Sequence, residues 1–178
     1  MKNSLTTALS IVALLWMILI LNSLIPIDFN QFGILPRNIN GIKGILFSPF
    51  LHMNMAHLIS NTIPLFVLLT GLFFFYRKVA VRVLVLSVII GGSLVWIFGR
   101  TAFHIGASGV IFSLIGFLIA SGIFRKNIKA LLLAIIIFFM YGGVIWGILP
   151  TQPYISWEGH LFGFITGILL AYIFKDTK

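Results

Sequence analysis

Six stretches of this chain are apolar over close to the length of a membrane-crossing helix: residues 8–25, 55–76, 79–98, 108–124, 128–149 and 158–174, the last fully apolar only from His160 onward. A hydrocarbon core of about 30 Å takes about 20 residues of helix. A chain of 178 residues that spends most of its length this way folds with lipid as its solvent. The expected fold is an all-α membrane protein: a six-transmembrane-helix bundle forming one domain over residues 1–178. Charged residues make up 8% of the chain, against about 25% in soluble domains. No small-x-small cleavage site follows the first stretch, where Asn22-Ser23-Leu24-Ile25-Pro26 stands, so it is read as a span and not a signal peptide. The chain has no cysteine, which excludes disulfides, thiolate metal sites and a thiol nucleophile.

The formal net charge of +9 would suggest nucleic acid in a soluble protein. Here the cations sit in short loops and tails. With a cytoplasmic N-terminus, Lys2, Arg77, Lys78, Arg82, Arg125, Lys126, Lys129, Lys175 and Lys178 fall inside and Arg37, Lys43 and Arg100 outside, a split of 9 against 3. That asymmetry orients a multi-pass protein, and it adds attraction to anionic lipid. A nucleic-acid partner is not expected. The connection from Pro26 to Asn54 is long, half apolar and punctuated by Gly33, Pro36, Gly41, Gly44 and Pro49. Loops of this length are uncommon and often functional. Its apolar residues predict that it dips into the outer interface.

Polar side chains inside spans are costly and therefore mark function. His57 and Asn61 in the second span, Ser108 in the fourth and His160 in the sixth all lie near the outer ends of their helices. Measured from the first cytoplasmic cation at 1.5 Å per residue, Ser108 lies at about 26 Å, Asn61 at about 24 Å, His160 at about 22 Å and His57 at about 30 Å. Taken singly, such residues usually bond a backbone carbonyl or bridge two helices. A serine and a histidine at one depth point instead to one site.

Ser108 lies in Gly106-Ala107-Ser108-Gly109, at a loop-to-helix junction. Glycines permit a tight turn and close approach, and the first amides of a helix are free to stabilise an oxyanion. His160 is the expected general base to the Ser108 nucleophile. It precedes Gly163 and Gly167, whose spacing marks a face where another helix packs closely. A third, orienting carboxylate is missing: of Asp28, Glu158 and Asp176, only Glu158 is near, and two positions from His160 it faces elsewhere. The expected machinery is a Ser–His dyad, with Phe112, one turn after Ser108, stacking on the imidazole. His57 and Asn61, four apart on one face, can donate to an oxyanion together with the Ser108 backbone N–H. His52 is read either as a loop-fixing hydrogen-bond partner or as a direct participant. Zinc is the chemical rival, with His52, His57, His104, His160 and Glu158 as conceivable ligands. The chain has no His-Glu-x-x-His, and a metal leaves Ser108 and Asn61 without a role; no metal is expected.

These motifs resemble the rhomboid family. They are His52-x4-His57-x3-Asn61 on the second span, Gly106-Ala107-Ser108-Gly109 opening the fourth, and Gly159-His160-x2-Gly163-x3-Gly167 in the sixth. The run from Pro36-Arg37 to Ser48-Pro49-Phe50-Leu51-His52 looks like the family's first outer loop, and the resemblance covers nearly the whole chain. It implies a serine endopeptidase that cleaves transmembrane, single-pass substrates near the outer face without metal, ATP or other cofactor. It also implies a partly submerged first-loop hairpin and a lid over residues 150–158. Phe112 departs from the family's usual tyrosine, which keeps stacking and removes a hydroxyl. No extra-membrane domain or seventh span is seen, and the bare core fits a prokaryotic cell membrane with both termini cytoplasmic. The alternative is a non-catalytic, rhomboid-like binder or chaperone, although this chain keeps both serine and histidine. A small transporter would need acidic residues in the spans. The sequence leaves substrate identity and oligomeric state open.

Overall fold

The computed structural model describes residues 2–150, 152 and 154–177. Thr151 and Pro153, in the stretch expected to cover the site, and the cation Lys178 lie outside the described residues. The helices are α1 (Lys2–Leu24), α2 (Gly44–Phe47), α3 (Met55–Phe75), α4 (Ala80–Phe98), α5 (Ser108–Phe124), α6 (Ile128–Tyr141) and α7 (Trp157–Ile173). Among the described residues there is no strand, only an isolated antiparallel bridge between Ile34 and His104.

Four helical stretches are long and apolar enough to cross a membrane: 3–24, 55–75, 80–98 and 128–148. The other two, α5 and α7, are apolar but 17 residues long. The helices differ from the sequence expectation mainly at their ends. Helix α1 starts at Lys2, not near residue 8, because hydropathy marks where lipid begins and not where helical hydrogen bonding begins. The stretch read as one span over 128–149 is α-helical to Tyr141 and continues as a 3-10 helix, Gly142–Ile148. The switch falls at two adjacent glycines, poor helix formers.

Helix α5 is apolar all round and buries Ile111, Phe112, Leu114, Ile115, Phe117 and Leu118 among its neighbours, as a helix at the centre of a bundle must. Helix α7 lies against it through small residues. A Cβ on Gly163 would overlap the Gly109 carbonyl, and one on Gly167 would overlap the Ser113 carbonyl. With no side chain there, the two backbones approach to contact, which is how helices associate where no hydrophobic effect drives them. Hydroxyls tie other pairs: buried Ser113 Oγ donates to Ser87 Oγ on α4 at 2.7 Å, and Trp16 Nε1 on α1 donates to the half-buried Thr62 Oγ1 on α3 at 3.0 Å.

The Pro26–Asn54 connection is a string of helical turns: 3-10 turns at Phe29–Phe32, Ile39–Gly41 and Ser48–Phe50, with α2 between the last two. Arg37 anchors it, donating to the carbonyls of Ile97 at 3.2 Å and Gly99 at 2.6 Å and to the Thr101 hydroxyl at 3.1 Å. Ile39, Leu46 and Phe47 remain exposed on its outer surface. At the opposite end of the bundle, Arg125 donates to the carbonyls of Phe174 and Thr177, each at 2.7 Å, and packs over the Tyr76 ring. That clamp fixes the C-terminal end of α7 to the C-terminal end of α5.

Candidate active site

The Gly106–Gly109 turn is built by its neighbours. The Gly106 N–H donates to the Ser48 carbonyl at 2.9 Å, and the Ala107 N–H donates to His52 Nε2 at 3.4 Å. Gly106 has φ +111, a conformation that side chains rarely adopt, and a Cβ there would sit 2.8 Å from His57 Nε2. Glycine is therefore required at this position twice over, by backbone and by space. The turn delivers Ser108 as the first residue of α5, half-buried. Its amide has no backbone acceptor among the described residues, as expected of a first-turn amide.

His52 is buried in the loop before α3 and meets the His57 ring edge-on, with centroids 5.0 Å apart. Accepting from the Ala107 amide requires a neutral ring. Burial first, then the adjacent His57, pushes its pKa down to about 4. That bond braces the turn that carries Ser108.

Helix α3 starts with Asn54 as its cap, accepting from the His57 N–H at 2.9 Å. His57 is half-buried, and a Cβ at Gly106 would sit 2.8 Å from its ring and 3.8 Å from the Ser108 hydroxyl oxygen. Asn61 is buried one turn deeper, and its amide nitrogen donates to the His57 carbonyl at 2.7 Å. That bond uses one of its two N–H groups and fixes the direction of the other.

His160 stands in the first turn of α7. Its ring stacks on Phe112 with centroids 4.1 Å apart and planes 4° from parallel. Its Nδ1 lies 2.9 Å from the Gly147 carbonyl. A carbonyl only accepts, so Nδ1 carries the proton and Nε2 is left with its lone pair. A backbone carbonyl thus occupies the place where a soluble triad has a carboxylate. Sequence reasoning missed Gly147. The available signal was a glycine in an otherwise apolar span: a Cβ there would come within 3.2 Å of both His160 Nδ1 and Phe112 Cζ. Glu158 makes no hydrogen bond to the imidazole among the described residues. It accepts from the Arg100 amide.

The supporting glycines act between helices. Gly109 lies against the Gly159 carbonyl, Gly163 against the Gly109 carbonyl and Gly167 against the Ser113 carbonyl. The residue next to Ser108 and the residue next to His160 are therefore in mutual contact. A cavity of about 50 Å³ opens beside Ser108, between α4, α5 and α7, with Ser48, Ser87, His104 and Ser156 among its lining residues. Its size suits water, and those four side chains supply polar groups to an otherwise mostly apolar wall. Of the conceivable zinc ligands, His52 and His57 meet each other, whereas His104 bonds Ser156 and the Arg100 carbonyl and His160 bonds Gly147. Among the described residues no three His, Asp or Glu form a metal-ligand group.

Comparison with known proteins adds a lineage. A family model described as the rhomboid domain matches residues 40–177. An uncharacterized protein of Mycobacterium tuberculosis is 35% identical over 187 residues, covering 97% of this chain and 76% of that protein. One from Mycobacterium leprae is 36% identical over 183 residues, covering 97% of this chain and 72% of its own. No solved structure matches.

Proposed function

The chain belongs to the rhomboid family, and from that premise we propose that it is an intramembrane serine endopeptidase. In this reading Ser108 is the nucleophile and His160 the general base. His57, Asn61 and the Ser108 N–H form the oxyanion hole. The observation that carries it is the state of His160: stacked on Phe112 and with Nδ1–H spent on the Gly147 carbonyl. Nε2 is then free to take a proton at the end of the helix packed on the Ser108 turn. A histidine kept for packing alone has no need of a fixed tautomer.

The reaction follows from the parts. The four longer helical stretches and the shorter α5 and α7 all cross the membrane, with the site toward the outer face. A transmembrane substrate approaches from lipid and unwinds at its outer end, because an intact helix hides its carbonyls in hydrogen bonds. Ser108 Oγ attacks the scissile carbonyl carbon as His160 Nε2 takes the hydroxyl proton. The oxyanion meets the Ser108 N–H and the donors of His57 and Asn61. The tetrahedral intermediate collapses, the C–N bond breaks, and His160 returns the proton to the leaving amine. Water from the cavity beside Ser108 then hydrolyses the ester, restoring the serine.

The test is labelling of the purified protein by a fluorophosphonate, alongside cleavage of a transmembrane reporter. Wild type labels and cleaves; Ser108→Ala and His160→Ala do neither, while keeping their folded yield. Reporter cleavage at the wild-type rate by folded Ser108→Ala would refute the assignment, and absence of labelling in wild type would favour a non-catalytic helix binder. Asn61→Ala is expected to slow cleavage by about 10²-fold.

A further inference from the structure

Four polar residues outside the proposed reaction centre join the two segments that carry its chemistry. Arg100 and His104 lie in the connection between α4 and α5, just before the Ser108 turn; Ser156 and Glu158 lie at the start of α7, just before His160. Glu158 is 2% exposed. Its Oε1 accepts from the Arg100 amide at 3.2 Å and faces Arg100 Nε at 3.6 Å. Its Oε2 is buried without a hydrogen-bond partner among the described residues. The Arg100 guanidinium also donates to the Ile155 carbonyl at 2.6 Å.

A second line of bonds runs parallel to the first. His104 Nε2 lies 3.0 Å from the Arg100 carbonyl, so it carries the proton. His104 Nδ1, 2.6 Å from Ser156 Oγ, then accepts from the hydroxyl. Ser156 Oγ in turn accepts from the Gly159 N–H at 3.3 Å, capping α7 one residue before His160. Every polarity in this line is fixed by the Arg100 carbonyl, which can only accept. Burial holds the His104 pKa below its usual value, consistent with a neutral ring. The same His104 backbone pairs with Ile34 in both directions, at 2.9 and 3.0 Å, which ties the connection to the outer loop.

We infer that Arg100, Glu158, His104 and Ser156 form a clasp that sets the register of His160 against Ser108. Arg100 and Glu158 are its positioning residues. The inference rests on the serine-peptidase reading for its effect on rate, and on geometry alone for its effect on structure. The reason for such a device is physical. The two reacting groups sit on different helices, joined in the bilayer by glycine-to-backbone contacts that allow sliding. Directional bonds at the outer ends remove that freedom. A buried carboxylate is costly without its counter-ion, so the ion pair forces the α7 start to stay with the α4–α5 connection. Misplacement of a reacting group by about 1 Å costs about 10²-fold in rate.

The experiment uses the full chain in lipid nanodiscs, with Glu158→Gln, Arg100→Gln, Arg100→Lys and Ser156→Ala. Two quantities are read: the fluorophosphonate labelling rate per folded molecule, and hydrogen exchange of peptides covering 104–110 and 157–163. Glu158→Gln, which keeps shape and removes charge, should label about 10- to 100-fold more slowly. It should also speed exchange in both peptides, leave exchange at the α5–α6 connection unchanged, and leave reporter KM within twofold. Arg100→Lys should recover most of the rate lost in Arg100→Gln. Ser156→Ala tests the neutral line and should show a smaller loss of the same kind. Glu158→Gln labelling at the wild-type rate with unchanged exchange overturns the clasp. A wild type that does not label refutes the peptidase reading instead, and exchange then decides the clasp: faster exchange in the variants supports it, unchanged exchange overturns it.

Discussion

A histidine that accepts from a backbone amide in a buried place has to stay neutral, and His52 does so at a cost that pH exposes. Its folded pKa of about 4 lies below the ordinary 6.5. The neutral ring is therefore fully compatible with the fold above about pH 6.5, and stability falls as pH drops from there through about 4, where the folded protein protonates too. The loss over that window is about 3 kcal/mol. His104, also lowered by burial, adds to the same slope. Melting temperatures taken from pH 7 to pH 4 should fall, and His52→Gln should flatten part of the fall while lowering the pH 7 value. A pH-independent melting curve for wild type would contradict the neutral assignment. At Gly147 the expectation is steric. Gly147→Ala places a methyl 3.2 Å from both His160 Nδ1 and Phe112 Cζ, so labelling should slow severalfold with little loss of folded protein. Phe112→Tyr keeps the stacked face and should label near the wild-type rate, whereas Phe112→Ala frees the imidazole and should slow labelling by about tenfold or more.

Among the elements, the pair α5 and α7 decides most. Their contact uses the absence of side chains: Gly163 on the Gly109 carbonyl and Gly167 on the Ser113 carbonyl. Gly163→Ala must push the backbones apart or shift them along each other. The expected cost is about 1–3 kcal/mol, read as a lower melting temperature, with slowed labelling because Gly109 and Ser108 move together. A larger effect for Gly163→Val, and none for Ala at Gly71, whose Cβ position is open, would locate the cause in the helix contact. The 17-residue lengths of α5 and α7 fit this arrangement. Helix α5 is enclosed by its neighbours, α7 packs on α5 and α4 with Ile165, Leu169 and Tyr172 left exposed, and Ser108 and His160 stand in the first turns of the two helices.

For the whole molecule, the split of 9 cations against 3 predicts that the end carrying the larger number faces the cytoplasm. Reporter fusions after Lys175 should be cytoplasmic, and a cysteine placed at Ile39 should react with an impermeant reagent from outside; the reverse pattern would invert the proposed site orientation. Hydropathy, charge asymmetry and three short motifs were enough to read an all-helical membrane protein of the rhomboid family, because lipid imposes its demands on composition and each motif is local in sequence. The polar groups Ser108, His160, His57 and Asn61 were legible for the same reason: a polar side chain in a span announces itself. Their partners were not legible. The Gly147 carbonyl, the Ser48 carbonyl and the Ala107 amide are backbone groups that every residue owns, so no residue type advertises them. Arg100 and Glu158 stand 58 positions apart and become a pair only when α4, α5 and α7 meet. Which atoms face one another is a property of the packed helices, and only the tertiary structure could decide it.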